Sequence, residues 1–176
     1  PTTWKEIPAL PLPAFRHGVV VSFPESEIMR TFQTSGTTGE RHGLHHFASL
    51  QSYETTVRAG WLRVGLPGKG VLCLLPSPSE APASSLSCMA GWLAGEDDFF
   101  IRNGVLQRDD LAMRLARASR PICLFGTALA FLHWFEQEGA WPVELPEGSM
   151  AVETGGFKGS GRDIPKADLY ELFQVR

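Results

Sequence analysis

The sequence has few cysteines and little net charge. Its three cysteines are odd in number, far apart and in apolar surroundings, which is typical of reduced thiols and not of a disulfide framework. Sixteen Lys and Arg residues stand against nineteen Asp and Glu residues, so the net charge is −3, with no long run of either sign. A disulfide-rich secreted fold is therefore not expected, and neither nucleic acid nor an anionic membrane is expected as a partner. We expect a cytoplasmic protein.

Long apolar runs are also missing. The longest, from Ile122 to Leu132, is interrupted by Gly126 and Thr127 and is shorter than the ~20 residues of a membrane span. No transmembrane helix is expected. The 176 residues suit one domain, and a chain of this size buries roughly 70% of the surface that its unfolded form exposes. A hydrophobic core is therefore predicted.

Strand and helix patterns alternate along the chain. Strands are predicted at 18–23, 28–35, 71–76, 98–103, 122–126 and 150–156. Helices are predicted at 47–65, 84–94, 108–119, 127–139 and 165–175. Strands separated by helices indicate an α/β fold, with a mostly parallel sheet and helices on both faces. The proline-rich residues 1–17 predict an extended arm before a domain of residues 18–176.

Two glycine-rich segments, SGTTG and GGFKGSG, follow predicted strands. Ligands of open parallel sheets bind outside the carboxyl ends of the strands, so we expect both segments at that one edge. Backbone N–H groups in a tight glycine turn, together with Ser and Thr hydroxyls, form an anion site that suits polyphosphate. A plain polar connection is the alternative for the first segment, and a flexible strand-to-helix turn for the second.

The first segment resembles the phosphate-binding signature of the adenylate-forming enzymes, TSGTTGxPKG. The matching residues are Thr34, Ser35, Gly36, Thr37, Thr38, Gly39 and Gly43. Arg41 stands in place of the proline of that signature and His42 in place of its lysine, which indicates a side branch of the superfamily. The resemblance implies that this chain folds like the N-terminal, nucleotide-binding subdomain of such an enzyme.

A second resemblance covers the chain from Trp4 to Phe173. The segments EIPALPLPAFR, TFQTSGTTGERHG, LLPSPSEAPASSLSCM and ETGGFKGSGRDIPKADLYELF resemble the acyl-protein synthetases of bacterial luminescence, the LuxE type. Members of that family use ATP to activate a fatty acid as an acyl-adenylate. They then pass the acyl group to a cysteine of the enzyme and onward to a reductase partner. The resemblance therefore implies a ligase with ATP and Mg²⁺ as cofactors and a fatty acid or related carboxylate as substrate.

Site residues follow from this resemblance. The loop from Thr34 to Gly39 is expected to hold the triphosphate. The resemblance implies that four residues of the second segment lie at the nucleotide, namely Thr154, Gly155, Gly156 and Lys158. Ser77 and Glu80 follow a predicted strand end where relatives contact the acyl group. No catalytic residue is assigned, because the parts of the family that contact the ribose and carry the catalytic lysine are expected after Phe173.

Several other signals are interpreted as structural. His42, His45 and His46 lie close in sequence, but no Cys or His pair with metal spacing completes a zinc site. GLPGKG at 65–70 lacks the Ser or Thr of a phosphate loop and leads into a strand, so a turn is predicted.

Cysteine and serine residues that resemble nucleophiles are interpreted as structural as well. Cys88 and Cys123 lie on predicted apolar faces and are interpreted as core residues and not as acyl acceptors. Ser84 or Ser85 is predicted to cap a helix, and neither is interpreted as a nucleophile. Two alternatives to an enzyme stay open: a binding module for ATP or acyl-adenylate without turnover, and an α/β domain that only docks a partner.

Overall fold

The computed structural model describes residues 3–6, 9–34, 41–136, 144–155 and 164–175. The chain forms two compact units, residues 1–50 and 51–176. The elements of the first unit are a 3-10 turn (Trp4–Glu6), α1 (Ala14–His17), a second 3-10 turn (Glu25–Glu27), β1 (Arg30–Gln33) and β2 (Leu44–Phe47). β1 and β2 pair in antiparallel fashion, with Phe32 opposite His45. Phe32 is buried, and its ring meets Phe47 edge-on at 5.5 Å between centroids.

The second unit is an α/β domain. Its elements are α2 (Gln51–Arg63), β3 (Val71–Pro76), α3 (Ser85–Gly91), a 3-10 turn (Glu96–Asp98), β4 (Phe99–Arg102), β5 (Val105–Leu106), α4 (Arg108–Ala116), β6 (Cys123–Gly126), α5 (Ala128–Glu136), β7 (Met150–Glu153) and α6 (Lys166–Val175). The strand order is β5-β4-β3-β6-β7, and every pair is parallel except β4 and β5. The predicted α/β fold is confirmed.

Both faces of this sheet are buried because side chains alternate along each strand. On β3, Leu72 and Leu74 belong to one core cluster, whereas Val71, Cys73 and Leu75 belong to the other. The first cluster takes its helical members from α4, α5 and α6, namely Leu111, Leu115, Phe131, Phe135 and Leu169. The second takes Trp61 from α2 and Ala90 from α3. Complete burial of such a side chain contributes roughly 1.5–3 kcal/mol to stability.

Local signals explain where two helices begin. The Ser84 hydroxyl accepts a hydrogen bond from the N–H of Ser87 at 3.1 Å, which confirms the predicted cap of α3. The Thr127 hydroxyl accepts from the N–H of Ala130 at 3.2 Å and caps α5 in the same way. Each cap of this kind contributes about 1 kcal/mol. Since α5 starts directly after β6, its first turn lies at the carboxyl edge of the sheet.

The first unit departs from several sequence predictions. Residues 18–23 form no strand, although the run is rich in valine, because no neighbouring strand pairs with it; Val19 is 46% exposed. β1 pairs with β2, which was not predicted, and not with a strand of the five-stranded sheet. The prediction that both glycine-rich segments follow strands of one sheet is therefore wrong. Within residues 1–17, Ala14–His17 forms one turn of helix.

The helices of the described residues are short. The longest, α2, has thirteen residues. Among the residues that the structure describes, no helix combines the length and the apolar character that crossing a bilayer requires.

Candidate functional site

Thr34 and Gly43 close the neck of the first glycine-rich loop. The Thr34 N–H donates to the Gly43 carbonyl oxygen at 2.9 Å, and the Gly43 N–H donates to Thr34 Oγ1 at 2.9 Å. A Cβ atom at residue 43 would lie 3.2 Å from Thr34 Oγ1, so glycine permits this close pairing. The two residues continue the β1–β2 ladder by one step and hold the ends of the loop together.

Most of the predicted phosphate contacts belong to the loop itself. Ser35, Gly36, Thr37, Thr38 and Gly39 lie outside the described residues, so Thr34 is the one member of the set whose contacts are known. Its hydroxyl already accepts the N–H of Gly43. This assigns Thr34 a structural task at the neck, and the phosphate contacts of the other five residues stay a prediction.

The three histidines beside this loop have separate partners. His42 Nδ1 lies 2.7 Å from the Thr34 carbonyl oxygen, a contact that requires the proton on Nδ1. His46 Nδ1 lies 2.8 Å from the Thr31 hydroxyl on the paired strand, and the His45 ring stacks on Phe15 at 4.7 Å. Among the described residues, no three His, Cys, Asp or Glu side chains come together in a group able to hold a metal ion.

The second glycine-rich segment begins at the carboxyl end of β7. The Thr154 N–H donates to the Gly126 carbonyl oxygen at 3.1 Å, and the Gly155 carbonyl oxygen accepts from the N–H of Ala128 at 3.0 Å. Gly155 has a φ of 71°, the left-handed region that favours glycine. Thr154 and Gly155 therefore lie beside the end of β6 and the start of α5. Gly156 and Lys158 lie outside the described residues.

Glu153, which the sequence did not single out, organises this turn. Its Oε2 accepts the Gly155 N–H at 2.6 Å, and its Oε1 accepts the Tyr170 hydroxyl at 3.2 Å. Lys166 Nζ lies 3.5 Å from Oε1, and the glutamate side chain is only 9% exposed. Glu153 thus connects β7, the glycine turn and α6. These partners are distant in sequence, so no local pattern predicts the arrangement.

Ser77 and Glu80 line a cleft of about 390 Å³ beside the end of β3. The Ser79 hydroxyl donates to Glu96 Oε1 at 2.7 Å, so the Ser77 hydroxyl, 2.6 Å from Ser79 Oγ, is the donor of that pair. Glu80 Oε1 accepts the N–H of Asn103. Both predicted substrate residues therefore have structural partners as well, and their contact with an acyl group stays a prediction.

The same chain of hydroxyls acts on Glu96. The hydrogen bond from Ser79, with Ser77 behind it in the chain of hydroxyls, holds the pKa of the Glu96 carboxyl below its usual range, because it stabilises the charged form. Glu96 is therefore an ionised acceptor at the rim of the cleft at neutral pH. The arrangement orients two serine hydroxyls in a chain that ends at Glu96.

The cysteines do not provide an evident nucleophile. Cys73 and Cys123 are buried in the core, and all three thiols are free. Burial raises the pKa of Cys123 to about 11 and raises that of Cys73 as well. Because the thiolate is the reactive form, these two groups are inert at neutral pH. The interpretation of Cys123 as a core residue is confirmed, and Cys88 is half-buried on α3.

Comparisons of the chain with protein-family models, curated proteins and solved structures found no match. The fold defines the class as an α/β protein, and its sequence carries hydroxyl and glycine residues directly after β1 and β7. Hydroxyl and glycine residues of this kind are typical of sites for ligands rich in anionic oxygen. At the second turn, the N–H groups of Thr154 and Gly155 already donate to Gly126 and Glu153.

Proposed function

We propose that this chain is the nucleotide-binding part of an ATP-dependent acid–thiol ligase, an acyl-protein synthetase. It would activate a fatty acid or related carboxylate as an acyl-adenylate for transfer to a protein cysteine. The observation that carries the proposal is the run TSGTTG directly after β1, with its ends drawn together by Thr34 and Gly43. The Thr34–Gly43 pairing supports a phosphate role, because a loop whose two ends are fixed loses less conformational entropy on binding a ligand.

The chemistry asks for such donors. In adenylation a carboxylate oxygen bonds to the α-phosphorus of ATP while the bond to the departing pyrophosphate breaks, so anionic groups approach one another. Hydrogen-bond donors must balance the charge that develops in this step. In the proposal, the hydroxyls of Ser35, Thr37 and Thr38 and the backbone N–H groups of Gly36 and Gly39 supply them. Mg²⁺ bound to the triphosphate would neutralise further charge.

The second segment supports the same proposal. A Cβ atom at Gly155 would meet nothing within 4 Å, so the turn presents open backbone on that side. In the proposal an adenine ring approaches the backbone on this open side, with Thr154, Gly156 and Lys158 nearby. Ser77 and Glu80 would lie toward the acyl group. We also propose a cytoplasmic location and a reductase-type protein as the acceptor of the acyl group.

A second candidate is a module that binds ATP or acyl-adenylate without turnover. The observation that favours it is the state of the thiols: Cys73 and Cys123 are buried and protonated. Neither is suited to accept an acyl group. The two candidates share the nucleotide site and differ in whether the adenylate forms.

Removing two threonine hydroxyls from the loop tests the nucleotide site. Thr37→Ala combined with Thr38→Ala deletes two donors to charged oxygens, each worth roughly 1.5–3 kcal/mol. Calorimetric titration with Mg²⁺–ATP is expected to show affinity reduced by about tenfold or more. The melting temperature should change little. The matched control is Thr55→Ala with Thr56→Ala, which removes two exposed hydroxyls that bond only within α2.

Unchanged ATP affinity in the loop variant would end the proposal, and equal losses in loop and control variants would do the same. Loss of affinity together with a lowered melting temperature would indicate that the hydroxyls support the fold. Pyrophosphate exchange driven by a long-chain fatty acid separates the two candidates when it is measured on the full-length gene product, since the catalytic lysine of the family is expected after Phe173. ATP binding with exchange then supports the ligase, and binding without exchange supports the module.

A further inference from the structure

Four basic side chains surround one cleft at the amino-terminal edge of the five-stranded sheet. The cleft has a volume of about 260 Å³, and its polar lining is Lys69, Arg114, Arg117, Ser119 and Arg120. Lys69 comes from the turn before β3, whereas the arginines come from the end of α4 and the segment before β6. Since β3 and β6 are parallel neighbours, their starts lie side by side. Residues distant in sequence thus meet at one place.

The GLPGKG turn brings Lys69 to this cleft. Gly70 has a φ of 75°, and a Cβ atom there would lie 3.4 Å from the Pro121 carbonyl oxygen. The Gly70 carbonyl oxygen accepts the Cys123 N–H at 2.9 Å. Glycine therefore allows the turn to lie against the segment before β6. The turn leads into a strand, as predicted, but it also places its lysine beside the arginines.

Only one of the four basic side chains at the cleft pairs with an acid among the described residues. Arg114 pairs with Asp98 at 3.0 Å. Within the described part of the chain, Lys69, Arg117 and Arg120 make no ion pair, and all three are exposed. Cations at the end of α4 are favourable for the helix dipole, which accounts for Arg114 and Arg117. It does not account for Lys69 and Arg120, which belong to other segments.

We propose that this cleft binds the phosphate group of a phosphomonoester. Guanidinium groups match phosphate oxygens in paired hydrogen bonds, and the Ser119 hydroxyl is a further donor at the same place. The volume is below the 300–1,000 Å³ or so of pockets that enclose a whole small molecule, so the cleft takes the phosphate while the remainder of the ligand lies outside. The site lies at the amino edge of the sheet, whereas Thr154 and Gly155 lie at its carboxyl edge, so it is independent of the proposed nucleotide site.

A titration followed by amide NMR tests the cleft directly. The full chain carries Thr37→Ala and Thr38→Ala, so that phosphate binding at the proposed nucleotide loop does not contribute. The probes are free O-phosphoserine and a short peptide that contains phosphoserine. We expect saturable shifts of the Gly70 and Ser119 amides. Adding Arg117→Gln and Arg120→Gln should weaken binding by about tenfold or more, because the paired bonds to phosphate are lost.

The matched control is Arg58→Gln with Arg63→Gln, which removes the same charge from α2, outside the cleft lining. Its affinity should stay within about twofold of the parent chain, since distant surface charges are screened by salt. Arg117→Lys with Arg120→Lys keeps the charge and is expected to bind at an intermediate level.

Several results would overturn the proposal. They are the absence of shifts at Gly70 and Ser119, equal weakening in the control, or equal binding of an unphosphorylated peptide with glutamate in place of phosphoserine. Equal affinity for the two phosphate probes supports a free phosphorylated small molecule as the source. Much tighter binding of the phosphopeptide supports a phosphorylated protein side chain.

Discussion

The turn at Thr34 and the turn at Thr154 have similar residues and different supports. Each threonine directly follows a strand and uses its hydroxyl in a hydrogen bond to backbone. Thr34 is tied to Gly43 of the same hairpin. Thr154 and Gly155 are tied to the end of β6 and the start of α5, and Glu153 ties the turn to α6. One turn is closed locally, and the other is held by three elements of a packed domain.

This difference predicts different responses to mutation. A two-stranded hairpin is marginally stable by itself, so its turn is able to open without unfolding a larger core. The turn at Thr154 lies over a sheet that is buried on both faces, so its opening disturbs the domain. We expect substitutions near Thr34 to act locally and substitutions near Thr154 to change global stability.

Gly126→Ala should have the largest effect. A Cβ atom at this position would lie 2.9 Å from Leu74 Cβ and 3.2 Å from the Leu74 carbonyl oxygen, so β3 and β6 would have to separate. Overpacking of this kind costs about 1–3 kcal/mol in the free energy of unfolding, which urea denaturation measures. Gly60→Ala is the control: it lies in α2 with nothing within 4 Å and should stabilise by up to about 1 kcal/mol. Equal stabilities of the two variants would contradict the comparison.

Glu153→Ala should cause the second-largest loss in the free energy of unfolding. The part-buried Gly155 N–H loses its acceptor, which costs about 1–3 kcal/mol if it stays unpaired. The Tyr170 hydroxyl also loses its acceptor, but it is exposed and can bond to water, so it adds little. Glu153→Gln retains an acceptor oxygen and loses mainly the ion pair with Lys166, whose side chain is 74% exposed, so a smaller loss is expected. Urea midpoints rank the variants, with the exposed Glu171→Ala as control. A stability of Glu153→Ala equal to that of the control would show that the turn is not held through Glu153.

Thr34→Val should lower global stability less. It removes the oxygen that accepts the Gly43 N–H, a loss of about 0.5–1.5 kcal/mol that should be confined to the hairpin. Hydrogen exchange of the Gly43 amide should accelerate while the exchange of β3 and β6 amides stays unchanged. Thr34→Ser keeps the oxygen and should behave as the parent chain. Equal acceleration in β3 would contradict the local character of this turn.

The smallest effect concerns alkaline pH. The pKa of Cys123 is raised from 9.0 to about 11, so the folded domain holds a proton that the unfolded chain releases. The stability from this difference is fully present below about pH 9 and is lost as the pH rises toward 11. Urea midpoints at pH 8 and pH 10 should show a smaller decrease for Cys123→Ala than for the parent chain. Since residues 1–50 contain no cysteine, the Gly43 amide should not report this change.

Sequence patterns predicted the second unit well because its elements carry strong local signals. The apolar run of β3 was predicted to the residue and β6 to within one residue, and Ser84 is one of the two serines predicted as the cap of α3. β5 was missed because two residues have no periodicity. The strand predicted at 18–23 was wrong because a valine run needs a partner strand, and the sequence alone does not show which strands pair.

The residues of the candidate site also divide into those that local sequence patterns predicted and those that they did not. Thr34 and Thr154 were found because glycine and hydroxyl residues are adjacent in sequence at both turns. Glu153 and the basic cleft were not found, since their partners come from different elements. In the sequence, Lys69 stands out only as part of the glycine-rich motif GLPGKG. Its proximity to Arg117 and Arg120 follows from the parallel pairing of β3 and β6.

The pairing of Leu74 with Gly126 has a consequence for how the sheet finds its alignment. In a strand with one solvent-exposed face, a register shift by one residue moves its apolar side chains into water, so the hydrophobic effect disfavours the shifted register. Both faces of β3 and β6 are apolar, so the alternation of apolar and polar residues does not specify their register. The missing side chain at Gly126, opposite Leu74, distinguishes the native alignment from its neighbours. The absence of a side chain at Gly126 thus favours the native register of β3 and β6 at the centre of the sheet.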